Sequence, residues 1–214
     1  MKAQVFSPNT EAGGFGGVSY YMGDINPRKQ FYDLGLALGG LLKHNFTEHH
    51  CLRLNAFLAN LRGNDLDFKN DFQQMRAHNF ETSLLDCHVG YEFSFMPYIV
   101  NRRINTHTTY IFAAIGYSLI LSSSTDMATT GHATIPFGVG YKYRFNDRVS
   151  LGCEWGMRKT FNDTIDGLLN VGPEGSWSLL HNNDWYSFAG VFLTVRVFEK
   201  GNTCLGVKEP RTYN

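Results

Sequence analysis

The sequence predicts an all-β fold: eight antiparallel strands closed into a transmembrane β-barrel with a plugged lumen. Three observations predict it. Apolar residues recur at every second position along much of the chain, which is the period of a strand and not of a helix. The connections between these runs sort into a short set and a long set at opposite ends of the sheet. The face opposite the apolar one carries charges and many of the 22 glycines. Composition agrees. Aromatic residues are 14% of the 214, which excludes intrinsic disorder, because disordered chains lack aromatics. Lys plus Arg and Asp plus Glu both number 19, so the net charge is zero and the basic footprint of a nucleic-acid partner is missing. No apolar run reaches the about 18 residues of a transmembrane helix. The most apolar run, residues 110–121, is interrupted by Gly116 and Ser118.

The first strand, about 11–22, is assigned by position, since Gly13 to Tyr21 is glycine-rich and alternates poorly. The second, 33–46, alternates Leu34, Leu36, Leu38 and Leu42 with Gly35, Ala37, Gly39 and Lys43. In the third, 49–61, Leu52, Leu54, Ala56 and Leu58 face away from Arg53, Asn55 and Ala59, with Phe57 as the exception. The fourth, 77–96, sets Leu85, Cys87, Val89, Tyr91, Phe93 and Phe95 against Asp86, His88, Gly90, Glu92 and Ser94. The fifth, 107–121, reads the same way. The sixth, 132–146, sets Ile135, Phe137, Val139, Tyr141, Tyr143 and Phe145 against Thr134, Pro136, Gly138, Gly140, Lys142 and Arg144. The seventh, 148–161, sets Leu151, Cys153, Trp155 and Met157 against Gly152, Glu154, Gly156 and Arg158. The eighth, 184–199, alternates apart from Phe192 and puts Arg196 on its polar face.

The turns at 46–49 and 146–147 are tight and the 97–106 loop is moderate, whereas 23–32, 62–76, 122–131 and 162–183 are all longer. Short turns at one end and long loops at the other make an OmpA-like outer-membrane architecture. With an even strand count both termini fall on the short-turn, periplasmic side. The expected organisation is an N-terminal periplasmic segment over 1–10, the barrel over 11–199 and a periplasmic tail over 200–214. Nothing like an apolar signal core opens the chain, and Lys2-Ala3-Gln4 is compatible with the stub of a cleaved signal.

A soluble lipocalin-type barrel is the rival, and the two faces decide. An eight-stranded interior is only wide enough to be filled by side chains or to hold one small ligand. Several bulky apolar residues per strand do not fit there. Turned outward they meet lipid, and the lumen receives Arg53, Asp86, Glu92, Lys142, Arg144, Glu154, Arg158 and Arg196. Buried ions are costly unless paired, so these charges are expected to form a plugging network. Glu154 and Arg158 lie four apart on one strand, about 13 Å, so each is expected to find its partner on a neighbouring strand. Aromatics gather at both strand ends: Phe93, Phe95, Tyr141, Tyr143 and Phe145 at one, Tyr20, Tyr21, Trp155, Trp185, Tyr186 and Phe188 at the other. They are expected to form two interfacial girdles.

Several stretches carry a resemblance: residues 17–26 with Gly23, Asp24 and Asn26, the run Pro136-Phe137-Gly138-Val139-Gly140, and Glu154 through Arg158 with Thr160, followed by Asp163 and Asp166. On these the chain resembles the PorG family, small outer-membrane barrels of the type IX protein secretion system. The stretch 162–167 is less acidic than that pattern. The resemblance implies a non-enzymatic part that anchors or positions a periplasmic ring of a PorK-like lipoprotein and a PorN-like protein, with outer-membrane lipid around it, no nucleic-acid partner and no cofactor. Candidate contacts are Glu48, Arg102, Arg103, Asp147, Cys204 and Lys208, on the short turns and the tail.

The remaining motifs are weaker. Cys87 and Cys153 fall on the lipid face as small hydrophobes. Cys51 and Cys204 both lie toward the periplasm, where a disulfide between them, a bridge from Cys204 to a partner, and two free thiols are all compatible with the sequence. Asp65, Asp67 and Asp71 lack the spacing of a calcium loop, and the eight histidines lack a metalloprotease spacing. A lipid-modifying hydrolase needs a base beside its nucleophile, but His78 has the opposite parity to Glu81 and Ser83. The alternative function is an adhesin or small-ligand barrel acting through the long 162–183 loop with Trp177.

Overall fold

The alternation along the chain becomes a single closed sheet. The computed structural model describes residues 9–22, 30–64, 79–98, 106–123, 131–146, 148–161 and 185–199. Its strands are β1 (Asn9–Met22), β2 (Gly35–Asn45), β3 (His50–Asn64), β4 (Asn79–Ser94), β5 (His107–Ser123), β6 (Gly131–Arg144), β7 (Val149–Thr160) and β8 (Trp185–Glu199). Each strand pairs antiparallel with its chain neighbours, and β1 pairs with β8 to close the barrel. Closure removes the sheet edges that would otherwise invite pairing with other chains. The expected all-β, eight-stranded antiparallel fold is therefore the observed one. β3 runs to Asn64, beyond the expected 61, because it stays paired with β4 as far as Asn79. Register slips by one residue at two places, between Thr10 and Glu11 against β8 and between Ser83 and Leu84 against β5.

The short turns are locked locally. Phe46 N–H donates to the His50 carbonyl, and Thr47 Oγ1 accepts from the His49 and His50 amides. Asn146 Oδ1 accepts from the Arg148 and Val149 amides, as a turn residue of this type commonly does.

The two faces divide as a membrane barrel requires. Leu36, Leu54, Ile115, Val139, Leu151 and Leu193 stand exposed on the outer wall. Arg53, Asp86, Glu92 and Arg158 are each at most 1% exposed, although water-facing charge is the norm. This is the inverse of a soluble barrel, and it matches a wall solvated by acyl chains.

The lumen is more aromatic than the sequence reading held. Phe15, Phe57, Tyr110, Phe112, Phe188 and Phe192 are buried inside it. Inward glycines make the room. Gly39 lies beneath Phe57, Gly152 beneath Phe192, and Gly138 and Gly156 beneath Phe112, so a Cβ at any of them would collide with the ring. The girdle at the long-loop end needs correction for the same reason. Tyr21, Tyr186 and Phe188 share the parity of the inward residues and are 0–1% exposed, so they pack within the barrel. Tyr20 is also buried, with its ring 4.9 Å from that of Phe31, a residue at positive φ (56°). Trp155 and Trp185 remain half-buried on the outer parity, and Tyr141, Tyr143, Phe95 and Phe145 are exposed toward the short turns.

Candidate functional site

The candidate site is the ionic interior, and it has two layers. The lower one lies toward the short turns and centres on Glu92 of β4. Lys142 Nζ approaches Glu92 Oε1 at 2.7 Å, Lys43 Nζ approaches Oε2 at 3.1 Å, and an Arg53 terminal nitrogen lies 3.6 Å from Oε2. The other terminal nitrogen of Arg53 sits 2.8 Å from Glu154 Oε2, which also accepts from the Tyr110 hydroxyl at 2.7 Å. Rings cover the cations: Lys43 lies 4.1 Å from the Phe192 centroid and Arg53 4.4 Å from that of Phe112. A desolvated cation over an aromatic face gains further electrostatic stabilisation, and here the ring also excludes water.

The upper layer centres on Asp86 of β4. Its Oδ2 accepts from Arg158 Nε at 3.3 Å, and its Oδ1 accepts from the Ser118 hydroxyl at 3.0 Å. Ser118 is in turn 2.6 Å from the Tyr186 hydroxyl. Arg158 lies 3.9 Å from the Phe188 centroid and donates to the Gly156 carbonyl at 2.9 Å. Asn55 links the two layers. With its amide oxygen toward the donors, it accepts from Arg53 Nε at 2.9 Å and from His88 Nε2 at 2.8 Å.

These pairs run across the lumen, which corrects the neighbouring-strand expectation. Glu154 on β7 meets Arg53 on β3, the strand diametrically opposite, and Arg158 on β7 meets Asp86 on β4. Adjacent strands do pair elsewhere, as Arg53 on β3 does with Glu92 on β4, but Glu154 and Arg158 reach past their neighbours. Side chains from opposing walls of a narrow barrel meet head-on.

Two ionic residues went unassigned in the sequence. Lys43 shares the inward parity of Gly35, Ala37 and Gly39, so its placement was readable there. Glu11 lies beyond the irregular start of β1, where Oε1 accepts from Asn45 and Oε2 from Thr194. Of the other lumen candidates, Arg144 is buried and Arg196 is half-buried, both near the short-turn end. Counting the described lumen residues, Lys43, Arg53, Lys142, Arg144, Arg158 and Arg196 give six positive charges against four from Glu11, Asp86, Glu92 and Glu154.

Tyr98 closes the floor. It lies just past β4, its ring 4.3 Å from Lys142 Nζ, its hydroxyl 2.5 Å from Ser150 Oγ and its amide donating to the Glu48 carbonyl at 2.9 Å. Burial pushes its phenol up to about 12, so the hydroxyl stays protonated and available as a donor. This fastens the beginning of the 97–106 loop to the 46–49 turn.

Among the partner-contact candidates, only half-buried Glu48 falls among the described residues; Arg102, Arg103, Asp147, Cys204 and Lys208 lie outside them. So do Gly23, Asp24, Asn26 and His78, and with Cys204 the Cys51–Cys204 pairing. Pro136 and Thr160 are buried on the lumen side, Phe137 is exposed outside, and Gly138 and Gly140 accommodate Phe112 and Tyr110. Cys51 is a buried thiol on the inward parity, while Cys87 and Cys153 are exposed thiols on the outer wall. Glu81 pairs with Arg62 at 2.8 Å, and Ser83 donates to Asn60. Among the described residues, His, Cys, Asp and Glu form no cluster able to hold a metal ion. Chemically, this interior is a set of ion pairs and rings that link the walls of the barrel across its lumen.

Comparison with known proteins gives the fold a wider setting. A family model described as a domain of unknown function (DUF6089) matches residues 1–206. Curated proteins yield no match. Among solved structures, Neisserial surface protein A (NspA) superposes with a TM-score of 0.51 at 9% identity, covering 89% of this chain and 97% of that one. The outer membrane protein OprG of Pseudomonas aeruginosa gives 0.44 at 12% identity, covering 92% and 96%. Ail, the attachment invasion locus protein of Yersinia pestis, gives 0.42 at 10% identity, covering 91% and 100%. The first of these likenesses shows the fold, that of an eight-stranded outer-membrane barrel.

Proposed function

The chain belongs to the DUF6089 family, and for it we propose a non-enzymatic anchoring role in protein secretion. The barrel sits in the outer membrane with its termini in the periplasm. There it positions a periplasmic ring of a PorK-like lipoprotein and a PorN-like protein, as a PorG-like component of a type IX secretion system. The observation that carries this reading is the cross-wall plug. Arg53–Glu154, Lys142–Glu92 and Arg158–Asp86 tie non-adjacent strands together across the lumen and leave no path for a polypeptide. Work must then be done by the outer wall and the two ends. The short-turn end suits a tether, since Tyr98 and Glu48 bind two connections to each other and to the floor. The resemblance in residues 17–26, 136–140 and 154–160 supplies the identity of the partners.

The test is affinity capture of the full chain from detergent-solubilised outer membranes. Recovery of PorK-like and PorN-like proteins is expected, with recovery falling when Arg102→Glu and Arg103→Glu are combined. Capture without any ring protein overturns the anchoring role. Binding of host proteins to intact cells that is lost on trimming 162–183 would favour the adhesin alternative.

A further inference from the structure

The outer wall has one feature that neither the plug nor the anchoring role uses. A groove of about 530 Å³ crosses β5, β6, β7 and β8 on the membrane-facing side. That is within the roughly 300–1,000 Å³ of ordinary ligand clefts. Two small side chains leave it open, Cys153 on β7 and Ala189 on β8. Its sides are Ile111, Val139, Tyr141 and Trp155.

We infer that this groove seats one acyl chain of a phospholipid, held as a specific ligand and not as part of the exchanging lipid shell. The inference rests on the membrane reading of the outer wall. Two of the walls are preorganised. Trp155 Nε1 donates to the Tyr20 hydroxyl at 2.9 Å, which fixes its indole, and Tyr141 stacks on His107 with centroids 6.0 Å apart. Preorganised walls spare the ligand an ordering cost that a flexible surface would impose. The groove is apolar along its length; at its foot near the short turns it is lined by Phe95 and Thr109, and outside it there His107 beside Tyr141 offers a polar group. A tail along the wall with a headgroup at that foot satisfies both parts.

A second copy of the chain fits less well. The groove is built from 12 residues, against about 20–30 residues a side in a stable protein interface. A groove within the apolar belt also offers a protein partner few hydrogen bonds to specify it.

The experiment uses the full chain reconstituted into phosphatidylethanolamine–phosphatidylglycerol vesicles, re-extracted into mild detergent and weighed by native mass spectrometry. One retained phospholipid per barrel is expected. Ala189→Trp should lower the retained fraction about tenfold, what blocking contact with two methylenes is worth. Ala12→Trp, on the outer parity of β1 and outside the groove, should leave it unchanged. Cys153→Phe fills the same groove and replaces Ala189→Trp if circular dichroism shows that variant unfolded. No retained phospholipid, equal loss in the groove variant and the Ala12 control, or an adduct with the mass of a second chain overturns the inference. If the chain stays monodisperse without detergent, the membrane reading itself falls, a distinct outcome from a detergent-requiring barrel that retains no lipid.

Discussion

The two layers of the lumen solve the same problem with different redundancy. In the lower layer Glu92 receives Lys43, Arg53 and Lys142 from three other strands, and Glu154 shares Arg53. In the upper layer Asp86 has one guanidinium, that of Arg158, supplemented by Ser118 and by His88 with Nδ1 at 3.6 Å. The lower layer is thus a hub with several spokes, and the upper layer is a pair with helpers. Both layers hold buried polar atoms without a hydrogen-bond partner among the described residues, but below, Lys43 Nζ and the Arg53 terminal nitrogen still lie 3.1 and 3.6 Å from Glu92 Oε2, whereas above, both ring nitrogens of His132 are left over. The difference teaches where the barrel is committed. Its short-turn half is tied across the lumen at several points, and its long-loop half depends on few.

The sharpest way to break this comparison is to remove the hub. Glu92→Gln leaves three buried cations facing a neutral amide, with the Arg53–Glu154 contact as the one close ion pair that remains to them among the described residues. Removing one partner of a buried pair costs about 3–5 kcal/mol, and this variant should fall at the upper end of that range. Urea unfolding in lipid vesicles, followed by tryptophan fluorescence, measures the loss. A loss below about 1 kcal/mol, the scale of exposed ion pairs, would mean that water reaches Glu92 and the lower layer is not sealed. Asp86→Asn is the corresponding test above. It strands only Arg158, which keeps its bond to the Gly156 carbonyl and its place over Phe188. Its cost should be smaller, about 3 kcal/mol by the same rule. A cost exceeding that of Glu92→Gln would invert the proposed hierarchy.

Much of the barrel was legible because period-two alternation records which wall each residue faces. Leu52, Leu54 and Leu58 against Arg53 and Asn55 is a statement about lipid and lumen. The wall was readable, but the traffic across it was not. Arg53 and Glu154 are 101 residues apart, and their meeting depends on how the sheet closes, which no local pattern encodes. The aromatic filling was half visible. Phe57 and Phe192 stood out as breaks in the alternation, and glycines on the same face held the space for rings. A large residue on a glycine-rich face is the signal of a ring packed over backbone. Glu11 escaped because β1 begins with a register slip and alternates poorly. For Tyr21, Tyr186 and Phe188 parity, not nearness to a strand end, decides the side of the wall.

The smallest expected effect has the opposite sign and sharpens the comparison most. His132 is 3% exposed on β6, opposite Ser118 of β5, and neither ring nitrogen has a hydrogen-bond partner among the described residues. A buried polar group without a partner costs roughly 1–3 kcal/mol, whereas an apolar group of similar shape forgoes that penalty. His132→Leu should therefore stabilise the barrel by about 1 kcal/mol, the lower end of that range, after the lost ring contacts are offset. In the lower layer the same kind of replacement should act the other way, because Lys43, Arg53 and Lys142 each have a carboxylate within reach. Urea midpoints of His132→Leu and the parent chain in the same vesicles decide the matter. A destabilised His132→Leu would show that the imidazole is satisfied in the membrane-embedded protein.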